Sequence, residues 1–275
     1  MARAARATAA GISCLIAYPR YTMRTNWDVL SARTLGALAL PDACERCFWL
    51  HQRIGAPPTP FPGVFSSIDS YSKKVLQAAL QHAQRLPHWF ERFELHGEPL
   101  PSTHHSWFKI ATGHGSLQLS GTPDEILLAP DGSLIIIDYK TARFKPDDPF
   151  RPLYEVQLNV YARIAENLAP PRDGYPFPCR VQTLGLMYYD PLTEVDRPDK
   201  INTRGFLMEF HAHWVPILRR DAWIDELLMR AWAILSQPAP PAGASNCKTC
   251  QAYQAIANAR HRAGFRYTTT GDRLP

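Results

Sequence analysis

Gly121-Thr122-Pro123-Asp124-Glu125-Ile126-Leu127-Leu128, an Asp131-Gly132 pair, then Leu134-Ile135-Ile136-Ile137-Asp138-Tyr139-Lys140: this stretch decides the fold. Two apolar runs joined by Asp-Gly read as a β-hairpin, because that dipeptide tolerates the positive φ of a tight turn. The first strand carries Asp124, and the second ends in Asp138-Tyr139-Lys140. Side chains alternate along a strand, so Asp138 and Lys140 share one face while Tyr139 turns away. Two acids converging beside a lysine suit a hard divalent cation and the activation of water against a phosphodiester. A helical segment follows, Leu153–Asn167, and holds Gln157 and Tyr161 on one face at i and i+4.

Taken singly, each residue has a plainer use. Asp124 after Pro123 could be a turn residue, Lys140 a solvated strand end, and Tyr161 helix packing. Taken together, three charged residues on one face of a very apolar hairpin require a partner or a metal, because an unpaired buried charge is costly.

The order Gly-x-x-Asp, short hairpin, Asp-x-Lys, then Gln157-Leu158-Asn159-Val160-Tyr161 resembles the PD-(D/E)XK nuclease superfamily, in its RecB-like branch with a Gln-x-x-x-Tyr helix. The resemblance implies an α/β fold, a restriction-endonuclease-like core with a mixed central β-sheet flanked by helices. It also implies a metal-dependent DNA nuclease acting on single-stranded ends and leaving a 5′-phosphate and a 3′-hydroxyl. Carried over residue by residue, Asp124 and Asp138 would ligate Mg²⁺ or Mn²⁺ together with the backbone carbonyl of Tyr139. Lys140 would orient or activate the attacking water. Gln157 and Tyr161 would sit over the site, contacting the strand or bracing the lysine. Many members carry Glu where this chain has Asp138, which keeps the charge and shortens the reach by one methylene. Upstream, a helix expected over Ser66–Arg85 places Asp69 and Lys73 at i and i+4. This is an intrahelical ion pair, or else Asp69 is the additional active-site acid that related nucleases draw from such a helix, with His82 a weaker candidate.

Cysteine supplies a second constellation. Of six cysteines, Cys44-Glu45-Arg46-Cys47 and Cys247-Lys248-Thr249-Cys250 form two Cys-x-x-Cys pairs, one on each side of the hairpin, whereas Cys14 and Cys179 stand alone. Four thiolates at that spacing suit tetrahedral zinc or an iron–sulfur cluster, and spacing does not choose between them. Cys44-Glu45-Arg46-Cys47-Phe48-Trp49-Leu50 resembles the opening of this nuclease branch. Some of its members, among them helicase–nucleases and CRISPR-adaptation nucleases, are closed by a [4Fe–4S] staple built from one upstream and three downstream cysteines. The resemblance therefore favours [4Fe–4S], while the two-and-two arrangement leaves Zn²⁺ open. With no secretory signal to read, reduced thiols in the cytoplasm are expected over disulfides.

At 275 residues, the chain can build one ample core. Hydrophobic residues make up 45% and charged residues 20%, which excludes a disordered chain. No apolar run approaches a membrane span. A net charge of +5 permits a polyanionic partner without requiring one. No Gly-x-x-x-x-Gly-Lys-Ser/Thr loop is present, so any ATP-driven motor would be another protein. Expected partners are DNA, single-stranded, and a helicase or recombination or CRISPR-adaptation proteins; the alternative function is a catalytically silent nucleic-acid-binding or docking subunit of such a complex.

Residues 1–27 contain Arg3, Arg6, Arg20 and Arg24 and no acid, reading as a transit-like, disordered or misassigned extension. Residues 28–257 are expected to form one nuclease domain with the cysteine site joining its ends, and 258–275 a basic mobile tail. Short helices are expected over Ser31–Leu38 and Cys44–Ile54, further strands over Val181–Tyr189 and Gly205–His211, and a helix over Pro216–Leu235. His104-His105 and His211-x-His213 read as surface or strand residues.

Overall fold

Asp131 and Gly132 close the expected hairpin. Gly132 has φ +82°, the Asp131 carboxylate accepts from the Ser133 N–H at 3.0 Å, and Ala129 N–H donates to the Ser133 carbonyl at 2.8 Å. The computed structural model describes residues 23–56, 63–83, 86–170, 172–194 and 198–262.

The chain enters through β1 (Val29–Ser31), α1 (Ala32–Gly36), α2 (Glu45–Arg53), the long α3 (Gly63–Ala83) and α4 (His88–Glu91). Short strands β2 (Glu98–Pro99), β3 (Lys109–Ala111) and β4 (Gln118–Ser120) lead to the hairpin, β5 (Glu125–Leu128) and β6 (Leu134–Lys140). Then come α5 (Arg151–Asn167), β7 (Val181–Pro191), β8 (Ile201–Asn202), β9 (Gly205–Phe206), β10 (Phe210–Ile217), α6 (Asp221–Leu235) and α7 (Lys248–Arg262). The central sheet has the order β10-β7-β6-β5-β2. Its β6–β7 pair is parallel and its other pairs are antiparallel, so the sheet is mixed, as expected. Parallel neighbours need a crossover, and α5 is that crossover. A smaller sheet, β1-β4-β3, packs against α5.

Strand β6 is apolar from Leu134 to Ile137 because both its faces are covered. Leu134 and Ile136 enter one core with α1, α2, α5 and α6. Ile135, Ile137 and Tyr139 enter a second core with Leu76 of α3 and Phe90 of α4. Alternation thus puts Asp138 and Lys140 on the α5 side.

Several boundaries differ from the sequence reading. Within Gly205–His211, Gly205 and Phe206 pair with Ile201 and Asn202 in a separate ribbon, and only Phe210 and His211 join the central sheet. The sheet strand starts at Phe210 and runs through Pro216 to Ile217, where a helix start was expected. Pro216 is tolerated there because β10 is an edge strand and a missing N–H need not break a ladder. Residues 24–27, grouped by sequence with the extension, are attached to the domain: Arg24 N–H donates to the Arg53 carbonyl at 2.7 Å, and Trp27 stacks on Trp232 at 6.3 Å. Helix α7 continues to Arg262, so the boundary expected at 257 falls within it. Residues 1–22, including Cys14, and 263–275 lie outside the described residues.

Gly121 lies directly under the ring of Tyr161. A Cβ at this position would stand 2.4 Å from that ring, so the first residue of Gly-x-x-Asp lets α5 close onto the hairpin. Gly121→Ala should therefore destabilise the protein by about 1–3 kcal/mol, measured as a lower urea midpoint at unchanged slope.

Candidate active site

The hairpin register delivers the two acids to one place. Glu125 pairs with Ile137, which sets Asp124 opposite Asp138 at the strand ends. Asp124 is fixed through both oxygens: one accepts the Tyr139 N–H at 2.8 Å, and the other meets Lys73 Nζ at 2.8 Å. Asp138 is 3% exposed. One of its oxygens accepts from Gln157 Nε2 at 3.0 Å, and Gln157 also donates to the Tyr161 hydroxyl at 2.7 Å. The other oxygen forms an ion pair with Lys140 yet has no well-aligned hydrogen bond. The Lys140 ammonium also lies over the Tyr154 ring, 4.1 Å from its centroid.

Asp124, Asp138, Lys140, Gln157 and Tyr161 therefore line one cleft of about 350 Å³. Gln157 meets the carboxylate of Asp138 rather than the lysine. The Tyr139 ring points to the opposite core against Tyr189, leaving its backbone at the cleft. Asp69 lines the cleft too, 3.3 Å from Lys73, whereas His82 is exposed farther along α3 and is not among the lining residues. A buried carboxylate oxygen without a hydrogen bond, beside a second carboxylate, fits a hard divalent cation.

Among the cleft residues missed by sequence reasoning are Lys73 as a partner of Asp124, and Arg33, Asp148, Tyr154 and Tyr188. The i, i+4 pairing of Asp69 with Lys73 was readable, but its reach across to the hairpin was not. Arg33 is exposed in the cleft from α1, whose N-terminus is capped by Ser31 accepting the Thr34 N–H at 3.0 Å. Asp148, in the connector after β6, accepts the Tyr188 hydroxyl at 2.9 Å. Of the basic residues around that connector, Arg151 pairs with Glu155 at 3.1 Å, and Arg143 reaches Glu194 at 3.9 Å.

Burial governs the protonation of the site. It lifts Asp138 to about 6, opposed by the Lys140 charge and assisted by Asp124. Burial works against the charge of Lys73, but pairing with Asp124 and Asp69 prevails and holds its pKa up. Burial also raises Glu125 to about 7, with only partial relief from the Tyr139 hydroxyl.

The four paired cysteines converge at the other end of the molecule. Cys44 caps α2 and Cys47 lies in its first turn; Cys247 and Cys250 open α7. Their sulfurs all lie within 4.8 Å of one another, and the contacts Cys44–Cys250, Cys47–Cys247 and Cys47–Cys250 are each 3.6 Å. A tetrahedral zinc with bonds of about 2.3 Å sets its sulfurs about 3.8 Å apart. A four-iron cube spreads its thiolates to about 6 Å. Burial opposes ionisation of Cys44, but hydrogen bonds from the Ala244 and Cys47 backbone and the neighbouring thiols hold it down at about 6. Cys179 is remote from this group, its thiol directed at the Gly132 carbonyl at 3.0 Å. His104 and His105 meet as a tilted ring pair with centroids 4.1 Å apart, and His213 stacks on Phe144, outside the lining of the cleft.

Glu125 yields a pH prediction. Its folded pKa exceeds its ordinary value, so burial favours the protonated form; that stabilisation is complete below about pH 4.5 and is lost as pH rises to about 7. Glu125→Gln keeps a neutral side chain and should be more stable than the parent by about 1–3 kcal/mol near pH 8, with the gap closing near pH 4. Denaturation at both pH values checks the sign.

Comparison with known proteins comes down to three findings. No curated protein matches the chain. Eleven chains of solved structures match it; one, described as the crystal structure of SSO0001, is 15% identical, with 78% of this chain and 79% of that one covered and a TM-score of 0.40. The family model of the PD-(D/E)XK nuclease superfamily matches residues 42–255, a span that holds both cysteine pairs, the hairpin and α5; the chain belongs to the PD-(D/E)XK nuclease superfamily.

Proposed function

We propose that this chain is a metal-dependent DNA nuclease that hydrolyses phosphodiester bonds at single-stranded ends. The observation that carries the reading is the convergence of Asp124 and the buried Asp138 on one cleft with Lys140 beside them. Asp124 and Asp138 would hold Mg²⁺ or Mn²⁺, with the Tyr139 carbonyl a further ligand. The chemistry such an ion supplies is polarisation of the phosphate and acidification of a bound water.

The chain's own groups do the rest. Gln157 orients Asp138, and the Tyr139 N–H orients Asp124, so neither carboxylate must reorganise as charge develops. Lys140, steered by Asp138 and the Tyr154 ring, positions the attacking water and offsets charge on the phosphate. Arg33, a cation at the cleft, is placed to contact a strand phosphate. Asp69 restrains Lys73 and acts through it on Asp124. A cleft of about 350 Å³ suits one nucleotide unit better than a duplex.

Asp138→Asn and Lys140→Ala should each slow cleavage of a 5′-labelled single strand by roughly 100-fold or more in protein that still folds. Full activity in Asp138→Asn sinks the reading. Strand binding without cleavage by the parent protein would instead indicate a silent binding or docking subunit.

The thiolate centre we read as zinc, because its sulfur spacing fits one tetrahedral ion and is too tight for the four-iron cluster expected from resemblance. It pins α2 to α7, and its reduced thiols suit the cytoplasm. Metal analysis of anaerobically purified protein should give one zinc and no visible colour. About four irons with broad absorption near ~400 nm would reverse the assignment. Cys247→Ala should lose the metal along with several kcal/mol of stability.

A further inference from the structure

On the face of the sheet opposite Asp138, α3, α4 and β10 border a second groove, of about 340 Å³, that the chemistry above does not use. Tyr71, Trp89, Tyr189 and Phe210 give it aromatic walls. Tyr189 is 6% exposed and packs on Tyr139, its ring centroid 5.6 Å away. The Tyr189 hydroxyl and the Trp89 indole nitrogen are both buried, and neither completes a well-formed hydrogen bond among the described residues. Even where the indole leans toward the hydroxyl oxygen, the hydroxyl proton is left without an acceptor. An unmatched buried donor is costly, and an occupant with an acceptor at its edge would relieve it.

Such an occupant is flat, apolar on its faces and edged with acceptors, which is the description of a nucleobase. Charge agrees with this. Arg92, anchored on the Ala212 carbonyl, and His211 line the groove, and no Asp or Glu is among its described lining residues. The groove lies on the other face of the sheet but adjoins the cleft near the end of β6: Tyr188 lines the cleft and Tyr189, alternating to the opposite face, lines the groove, and on α3 Lys73 lines the cleft and Ser72 the groove. Ser72 Oγ lies 3.4 Å from Thr141 Oγ1 at the cleft edge.

We propose that this groove binds an unpaired base of the strand being cut, a nucleotide or two from the scissile phosphate, with the Tyr189 hydroxyl donating to the base. The proposal rests on the nuclease reading and supplies its selectivity: a base stacked in a duplex cannot enter, so single strands are preferred. An apolar side chain of a partner protein would fill the volume but leave the hydroxyl unmatched.

The test uses the full chain, Mn²⁺, and two labelled strands that differ only in abasic residues beside the cut. KM should be about tenfold higher on the abasic strand, the worth of one stacked base, with kcat little changed. Tyr189→Phe should raise KM about fivefold on the intact strand, the loss of one hydrogen bond, and shrink the abasic penalty. Equal KM on both strands overturns the proposal and leaves the groove to a protein partner. Should the parent cut neither strand, anisotropy decides: a tenfold weaker Kd for the abasic strand upholds the groove while the nuclease reading falls, and equal Kd values, or no binding, overturn the groove as well.

Discussion

The buried carboxylate of Asp138 is the constraint around which the rest of the site is organised. A charge held at 3% exposure in an otherwise apolar strand is tolerable only with matched partners. The fold supplies them from two directions, Lys140 two residues along the same strand and Gln157 from the crossover helix, while Asp124 on the neighbouring hairpin strand adds a second negative charge. The burial that makes Asp138 costly also weakens its competition with water, so that an approaching cation or phosphate meets a concentrated field.

That arrangement needs a rigid frame. Helix α5 carries Gln157 and Tyr161 inward only because Gly121 has no side chain to obstruct the Tyr161 ring. Helix α3 crosses the open end of the hairpin, sending Lys73 to Asp124 on one flank and Ser72 and Leu76 toward the opposite core. The thiolate centre acts at longer range. It joins α2, near the start of the described chain, to α7, near its end, and Arg230 of α6 adds an ion pair to Glu45 at 3.0 Å. The cluster thus closes the layer of helices that backs the α5 side of the sheet.

Much of the site was legible because its signals are local. An Asp-Gly turn, period-two alternation and an i, i+4 pair each act over a few residues; they put Asp138 with Lys140, and Gln157 with Tyr161, on shared faces, and the family resemblance joined those faces to Asp124. Lys73 was seen only as the partner of Asp69, since helical spacing carries no information about which strand end a helix crosses. Pro216 was read as a helix start because proline usually excludes itself from a sheet; its edge position, a property of strand order, removes that objection. Arg33, Asp148 and Tyr188 share no sequence pattern and meet only through packing.

By itself, then, the sequence determined the hairpin, the acid and lysine face, the helix that covers it and the two thiolate pairs, all set by short-range steric and periodic rules. Tertiary structure alone decided which oxygen of Asp138 is left without a hydrogen bond and how tightly four sulfurs from the two ends of the domain converge. It alone also decided that a second aromatic groove adjoins the first. Those outcomes depend on distances between segments far apart in the chain, and such distances are fixed by the packing of helices on both faces of one sheet.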